Sequence, residues 1–145
     1  MRNKLKFHHL LLIGALVLGS CQKEYVKPEP IPPPNPSTPI SFANDIYPNI
    51  SGTTCGGGCH DGSIPPDLSS QSVAYNSLIT GIASSSNAPH AGKPFIDTAN
   101  AASSVLYVRL IDANAGSSIM PPAGALSLSY AEKVKTWIQQ GAKNN

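Results

Sequence analysis

Thr54-Cys55-Gly56-Gly57-Gly58-Cys59-His60-Asp61-Gly62, residues 54–62, is the stretch on which the reading of this chain turns. The chain has three cysteines, and two of them stand here across three glycines, with a histidine directly after the second. Four chemistries use such a pattern. A local disulfide suits an oxidising compartment. A redox-active dithiol wants a helix N-terminus in a thioredoxin-like setting, which the flanking sequence does not offer. A structural zinc site needs four ligands, which would have to be Cys55, Cys59, His90 and His60, yet the adjacent Cys59 and His60 diverge on most backbones. Covalent haem needs two thiols for two vinyl groups and an imidazole immediately after the second thiol, the Cys-x-x-Cys-His pattern. The loop here holds one residue more, and glycine, which has no side chain and tolerates unusual φ, can absorb it without a clash.

The haem reading asks for a second axial ligand, and a thioether there raises the reduction potential. Met120 lies in Ser118-Ile119-Met120-Pro121-Pro122-Ala123-Gly124, off any apolar helical stripe. A methionine is ordinarily core filler. Two prolines and a glycine after it instead describe a stiff loop able to present the sulfur.

Upstream, Met1–His9 carries Arg2, Lys4 and Lys6 and no acid, and Leu10–Leu18 is apolar. Residues 1–20 therefore read as a secretory signal, its apolar run short for a membrane span. Leu18-Gly19-Ser20-Cys21 resembles a bacterial lipobox, which implies cleavage before Cys21, lipid on that cysteine and anchoring by several acyl chains. Gln22, a residue other than Asp after the lipidated cysteine, resembles the pattern sent to the outer membrane. Of 10 basic and 8 acidic side chains, three basic ones and no acidic one fall in residues 1–20, which leaves 7 against 8 and a formal net charge of −1. The basic balance of the whole chain thus belongs to the targeting segment and argues for no nucleic-acid partner.

Residues 21–40 form the lipidated cysteine and a tether with seven prolines, from Pro28 to Pro39, which favours extended polyproline II. Residues 41–145 are the candidate domain, small enough that a cofactor or cross-link would supply much of its core. Its pattern predicts an all-α fold of about four short helices. Ser41 can cap the first, with Phe42, Ile46 and Ile50 on one face and Pro48 bending or shortening it. The second is expected over about 71–80, with Ala74, Tyr75, Leu78 and Ile79 as its buried side and Gly81 at its end. A polar loop over 81–100 follows. Residues 102–112 are so apolar that helix and strand both remain open. In the last helix, Ser129 and Glu132 form a capping box with Leu128 just outside. Tyr130, Val134, Trp137 and Ile138 share one face, and Gly141 ends the helix.

In order along the chain come Phe42-Ala43-Asn44-Asp45-Ile46-Tyr47-Pro48, Cys55…Cys59-His60-Asp61-Gly62, Pro66-Asp67-Leu68, Ser104-Val105-Leu106-Tyr107-Val108-Arg109-Leu110, Met120-Pro121-Pro122 and Trp137-Ile138-Gln139-Gln140-Gly141-Ala142. Over about residues 41–143 this series resembles the class I cytochrome c domains of bacterial lipoproteins and secreted proteins, in a variant with three residues between the cysteines. The resemblance implies a small cytochrome c-like fold around one covalent haem c. It implies Cys55 and Cys59 as thioether anchors, His60 as proximal ligand and Met120 as distal ligand. It also implies that the first and last helices cross beside the haem.

The remaining residues have weaker roles. His90 reads as an exposed loop histidine, with replacement of Met120 as sixth ligand the alternative. Arg109 could pair with a haem propionate or with Asp112 at the surface. Tyr107 and Trp137 pack the core or the haem edge. The function expected is electron transfer to and from a redox partner protein, by an extracytoplasmic, lipid-anchored carrier that is not an enzyme. The alternatives are a haem-free binding or structural module with a Cys55–Cys59 disulfide, and a five-coordinate haem peroxidase or sensor.

Overall fold

The computed structural model describes residues 38–84, 89–112 and 119–145, all within the unit Ile31–Asn145. Residues 1–20, Cys21 and the tether as far as residue 37 lie outside the described residues. The last tether residues are docked: the Ile40 N–H donates to Gln140 Oε1 at 2.8 Å, Gln140 Nε2 donates to the Thr38 carbonyl at 2.9 Å, and Ile40 is buried.

Ser41 opens the first helical segment as expected. Its hydroxyl accepts the Asn44 N–H at 3.1 Å, and its own N–H donates to Asp45 Oδ2 at 3.0 Å. The first turn, Phe42–Ile46, is of the wide π type and runs directly into α1, Tyr47–Ile50. The cause is Pro48, whose ring would press on the carbonyl four residues back in a regular helix. In the wider turn the N–H groups of Ile46 and Tyr47 reach five residues back, to Ser41 and Phe42. The four-residue spacing survives, and Phe42, Ile46 and Ile50 are all buried.

α2, Gln71–Thr80, buries Ala74 and Leu78. Tyr75 is half-buried, and Ile79 is exposed where a buried residue was expected. The two lie four apart on the flank of the helix, where a side chain as long as tyrosine reaches the core and isoleucine does not. α2 ends at Gly81, whose backbone is extended and where a Cβ would stand 2.7 Å from the Phe95 ring and closer still to the Ser77 carbonyl.

The loop over 81–100 is more ordered than its composition suggests. Ile82 bridges Pro94, the Ala83 N–H donates to the Lys93 carbonyl at 2.8 Å, and Ala83, His90, Phe95 and Ile96 are buried. The segment expected over 102–112 is helical, resolving the helix-or-strand ambiguity, but is broken at Ser104 into a 3-10 turn, Ala101–Ser103, and α3, Val105–Ile111. The first N–H groups of a helix have no partner within it. Those of Val105 and Leu106 find the Pro94 and Phe95 carbonyls at 3.3 and 3.1 Å, fastening the loop to α3.

α4, Leu128–Gln139, begins two residues earlier than the expected capping box. Ser127 is the cap, and its hydroxyl accepts the Tyr130 N–H at 3.2 Å. Glu132 is drawn instead to α3, where it accepts the Tyr107 hydroxyl at 2.6 Å, and to Lys135 at 3.1 Å. Gly141, at φ +93°, closes the helix with bonds from its own N–H to Ile138 and from Ala142 to Trp137. Tyr130, Val134, Trp137 and Ile138 are all buried, as the spacing predicts.

The first and last helical segments meet through Phe42 and Trp137, with ring centroids 5.3 Å apart, and the Tyr75 ring meets Phe42 edge-on at 5.3 Å. Trp137 Nε1 donates to the Lys143 carbonyl and Tyr75 Oη to the Ala142 carbonyl, so both polar tips are paired inside the core. The described residues form four α-helices and no strand beyond the Ile82–Pro94 bridge, so the fold is all-α.

Candidate functional site

The site is built on the loop between α1 and α2. Two of its backbone hydrogen bonds span five residues, Gly52 carbonyl to Gly57 N–H and Cys55 carbonyl to His60 N–H, the latter at 3.0 Å. An ordinary helical turn spans four. The third glycine is thus taken up as a widened turn, which brings the Cys55 backbone against that of His60. The Leu68 N–H then donates to the His60 carbonyl at 2.7 Å and closes the loop.

Glycine is required for the loop's own sake. Gly56 is buried, and a Cβ on it would stand 2.6 Å from the Leu68 carbonyl oxygen. Gly58 adopts φ +150°, a conformation that L side chains rarely take. The close approach at Gly56 is therefore made by backbone to backbone.

Cys55 is half-buried and packs on the core, whereas Cys59 is exposed, and the two thiols are not joined. Burial, with a smaller contribution from neighbouring Cys59, pushes the Cys55 thiol above its usual range. Tyr130 stands nearby. Its buried hydroxyl donates to the Ile46 carbonyl at 2.9 Å, and burial, with the neighbouring Cys55, raises its phenol well above the ordinary range.

His60 is half-buried, and its Nδ1 lies 3.0 Å from both the Ile64 and the Pro66 carbonyl oxygens. A carbonyl only accepts, so in the neutral ring the proton is on Nδ1, and Nε2 keeps its lone pair for an electrophile or metal. A carbonyl on the other ring nitrogen is the usual support of a metal-bound histidine. Sequence reasoning named the histidine and missed this seat, although Pro65-Pro66 six residues on was a signal of a rigid acceptor. Asp61 and Asp67 turn locally instead, accepting from Ser63 and Ser69, which lowers both carboxyls.

Met120 belongs to a different segment. Its N–H donates to the Arg109 carbonyl at 2.7 Å, tying the loop to the C-terminal half of α3. Met120 is half-buried and Pro121 buried, so the turn is less open than its composition suggests. Arg109 itself is 6 % exposed and not on the surface, and burial lowers its guanidinium from the ordinary value. Tyr107 is buried between α3 and α4 with Lys135 5.3 Å above its ring, and Trp137 is core.

His90 corrects the sequence reading most sharply. It is 6 % exposed, and among the described residues its Nε2 has no hydrogen-bond partner. Among the described residues no three His, Cys, Asp or Glu side chains converge as a zinc site would need. A haem iron is held differently, by the porphyrin and two axial groups, and the donor set of two thiols, one oriented imidazole and one loop methionine fits that requirement. Cys21 lies outside the described residues, among which no helix is long and apolar enough to cross a membrane. Compared with protein-family models, with curated proteins and with solved structures, the chain matches none.

Proposed function

We propose that residues 41–145 are a c-type cytochrome domain that carries one covalent haem and transfers electrons. The observation that carries this reading is the state of His60. It directly follows the second of two unjoined thiols, and its Nδ1 is committed to carbonyls, so Nε2 is left as the ligand.

Each residue then has a task. Cys55 and Cys59 would hold a haem covalently, each thiol adding its S–H across a vinyl double bond with no net electron transfer. His60 Nε2 and Met120 Sδ would hold the iron, and a soft thioether there would favour the reduced state. Haem supplies one-electron chemistry at iron when bound. Ile64 and Pro66 hold the imidazole plane, the Arg109 carbonyl holds the Met120 segment, and the Arg109 guanidinium is the charged candidate for a haem carboxylate. Trp137, Phe42 and Tyr130 keep water from the core behind Cys55. If His60 and Met120 both held the iron, it would keep no open position for a substrate, which supports a carrier over an enzyme.

The same reading makes the protein an extracytoplasmic lipoprotein, anchored by lipid on Cys21 at the outer membrane and exchanging electrons with a redox partner protein. No nucleic acid is involved.

The test is the mass and spectrum of the chain expressed for export beside haem-attachment machinery. A mass gain of one haem that survives denaturation, with a low-spin reduced spectrum, supports the proposal. A polypeptide two hydrogens lighter than the reduced chain, without visible absorbance, would mean a Cys55–Cys59 disulfide and overturn it. A high-spin spectrum with rapid carbon monoxide binding would point to the peroxidase or sensor.

A further inference from the structure

A buried polar atom with no partner is costly, and a native fold that keeps one invites an explanation. His90 Nε2 is such an atom. Its loop is not loosely placed. The Lys93 N–H donates to the His90 carbonyl at 2.9 Å, Gly92 bonds Ala83 at 2.9 Å, and Pro94 and Phe95 accept from the first turn of α3. The C-terminal half of α3 holds Met120 through the Arg109 carbonyl. One chain of backbone hydrogen bonds and helix thus runs from the His90 loop to the Met120 segment.

A leucine or phenylalanine at position 90 would remove the cost of the orphan, so what Nε2 lacks is best sought outside the polypeptide. A haem is apolar apart from its iron and its two carboxylates. The iron's axial positions are assigned to His60 and Met120. Of the two carboxylates, Arg109 is the candidate for one; the other remains, and an imidazole N–H is a donor suited to it.

Resting on the function proposed above, we propose that His90 is a contact of the haem pocket, its Nε2–H donating to a carboxylate of the bound haem. The donor offsets carboxylate charge that would otherwise stabilise the oxidised iron. His90 is therefore a tuning residue and not a ligand.

The test compares wild-type holoprotein with His90→Leu and His90→Gln, whose amide reaches the Nε2 position. All three are expected to keep the covalent haem mass and the low-spin spectrum. His90→Leu should lower the reduction potential, and His90→Gln should restore it toward wild type. Should His90→Leu not accumulate, His90→Phe supplies a ring without the donor and carries the same expectation. An unmoved potential in the apolar variant, or no rescue by glutamine, overturns the inference while leaving the cytochrome standing. Loss of the low-spin spectrum also overturns it, by making His90 a ligand. A wild-type chain that gains no haem overturns both.

Discussion

His60 hangs by Nδ1 between the carbonyls of Ile64 and Pro66, and the Leu68 N–H returns to the His60 carbonyl. The histidine is thus gripped at ring and backbone by the strand of chain that follows it, so its orientation is set before any cofactor arrives. Pre-orientation lowers the entropic cost of binding. Replacing His60 with alanine should remove the proximal ligand and strip the low-spin spectrum. An unchanged reduced spectrum in His60→Ala would sink the ligand assignment.

The two thiols are inequivalent, Cys55 half-buried and Cys59 exposed. Cys59→Ser should leave at most one thioether and weaken covalent capture. The denatured holoprotein should then release haem to acid–organic extraction, or show the α-band shift of a single thioether. Capture indistinguishable from wild type would mean that Cys59 is not an anchor.

Gly56 faces the Leu68 carbonyl, where a Cβ would stand at 2.6 Å. The obstacle is backbone and cannot rotate aside. Gly56→Ala should force the loop open, costing about 1–3 kcal/mol as an overpacked site does, and should reduce haem incorporation. Denaturant unfolding of holoprotein and the fraction of chains carrying the haem mass read the two effects.

Met120 is fastened by its backbone to α3, so truncating its side chain should leave the loop in place. Met120→Ala is expected to retain covalent haem, to fall in potential and to bind carbon monoxide in the reduced state. A potential equal to wild type would exclude Met120 as the sixth ligand.

Glu132 receives the Tyr107 hydroxyl and Lys135, and the Tyr107 bond, the largest cause, holds its carboxyl below the ordinary 4.5. A carboxyl depressed in the folded state adds stability above its unfolded value and loses it as pH falls through the folded value. The stability difference between wild type and Glu132→Gln should therefore be full near neutral pH and shrink below about pH 4.5. Denaturant titrations at several pH values check this, and a difference independent of pH would contradict it.

The local features were legible in the sequence because they depend on neighbours along the chain. The four-residue spacing of Phe42, Ile46 and Ile50, the bounds of α2 at Gln71 and Thr80, and the face shared by Tyr130, Val134, Trp137 and Ile138 all follow from helical periodicity. The Cys-Gly-Gly-Gly-Cys-His run likewise put two thiols and an imidazole in one loop by adjacency alone. Tertiary structure decided what periodicity cannot express. Glu132 left its expected place in the cap because Tyr107 on another helix offered a partner. His90 and Arg109 are buried where a polar loop and a cation in an apolar helix were read as surface, and the 81–100 loop closes through the Ile82–Pro94 bridge and docks on α3. The tautomer of His60 was settled by carbonyls four and six residues away, brought back by a turn. Burial, pairing and proton position depend on which distant groups meet, and only the packed chain supplies those meetings.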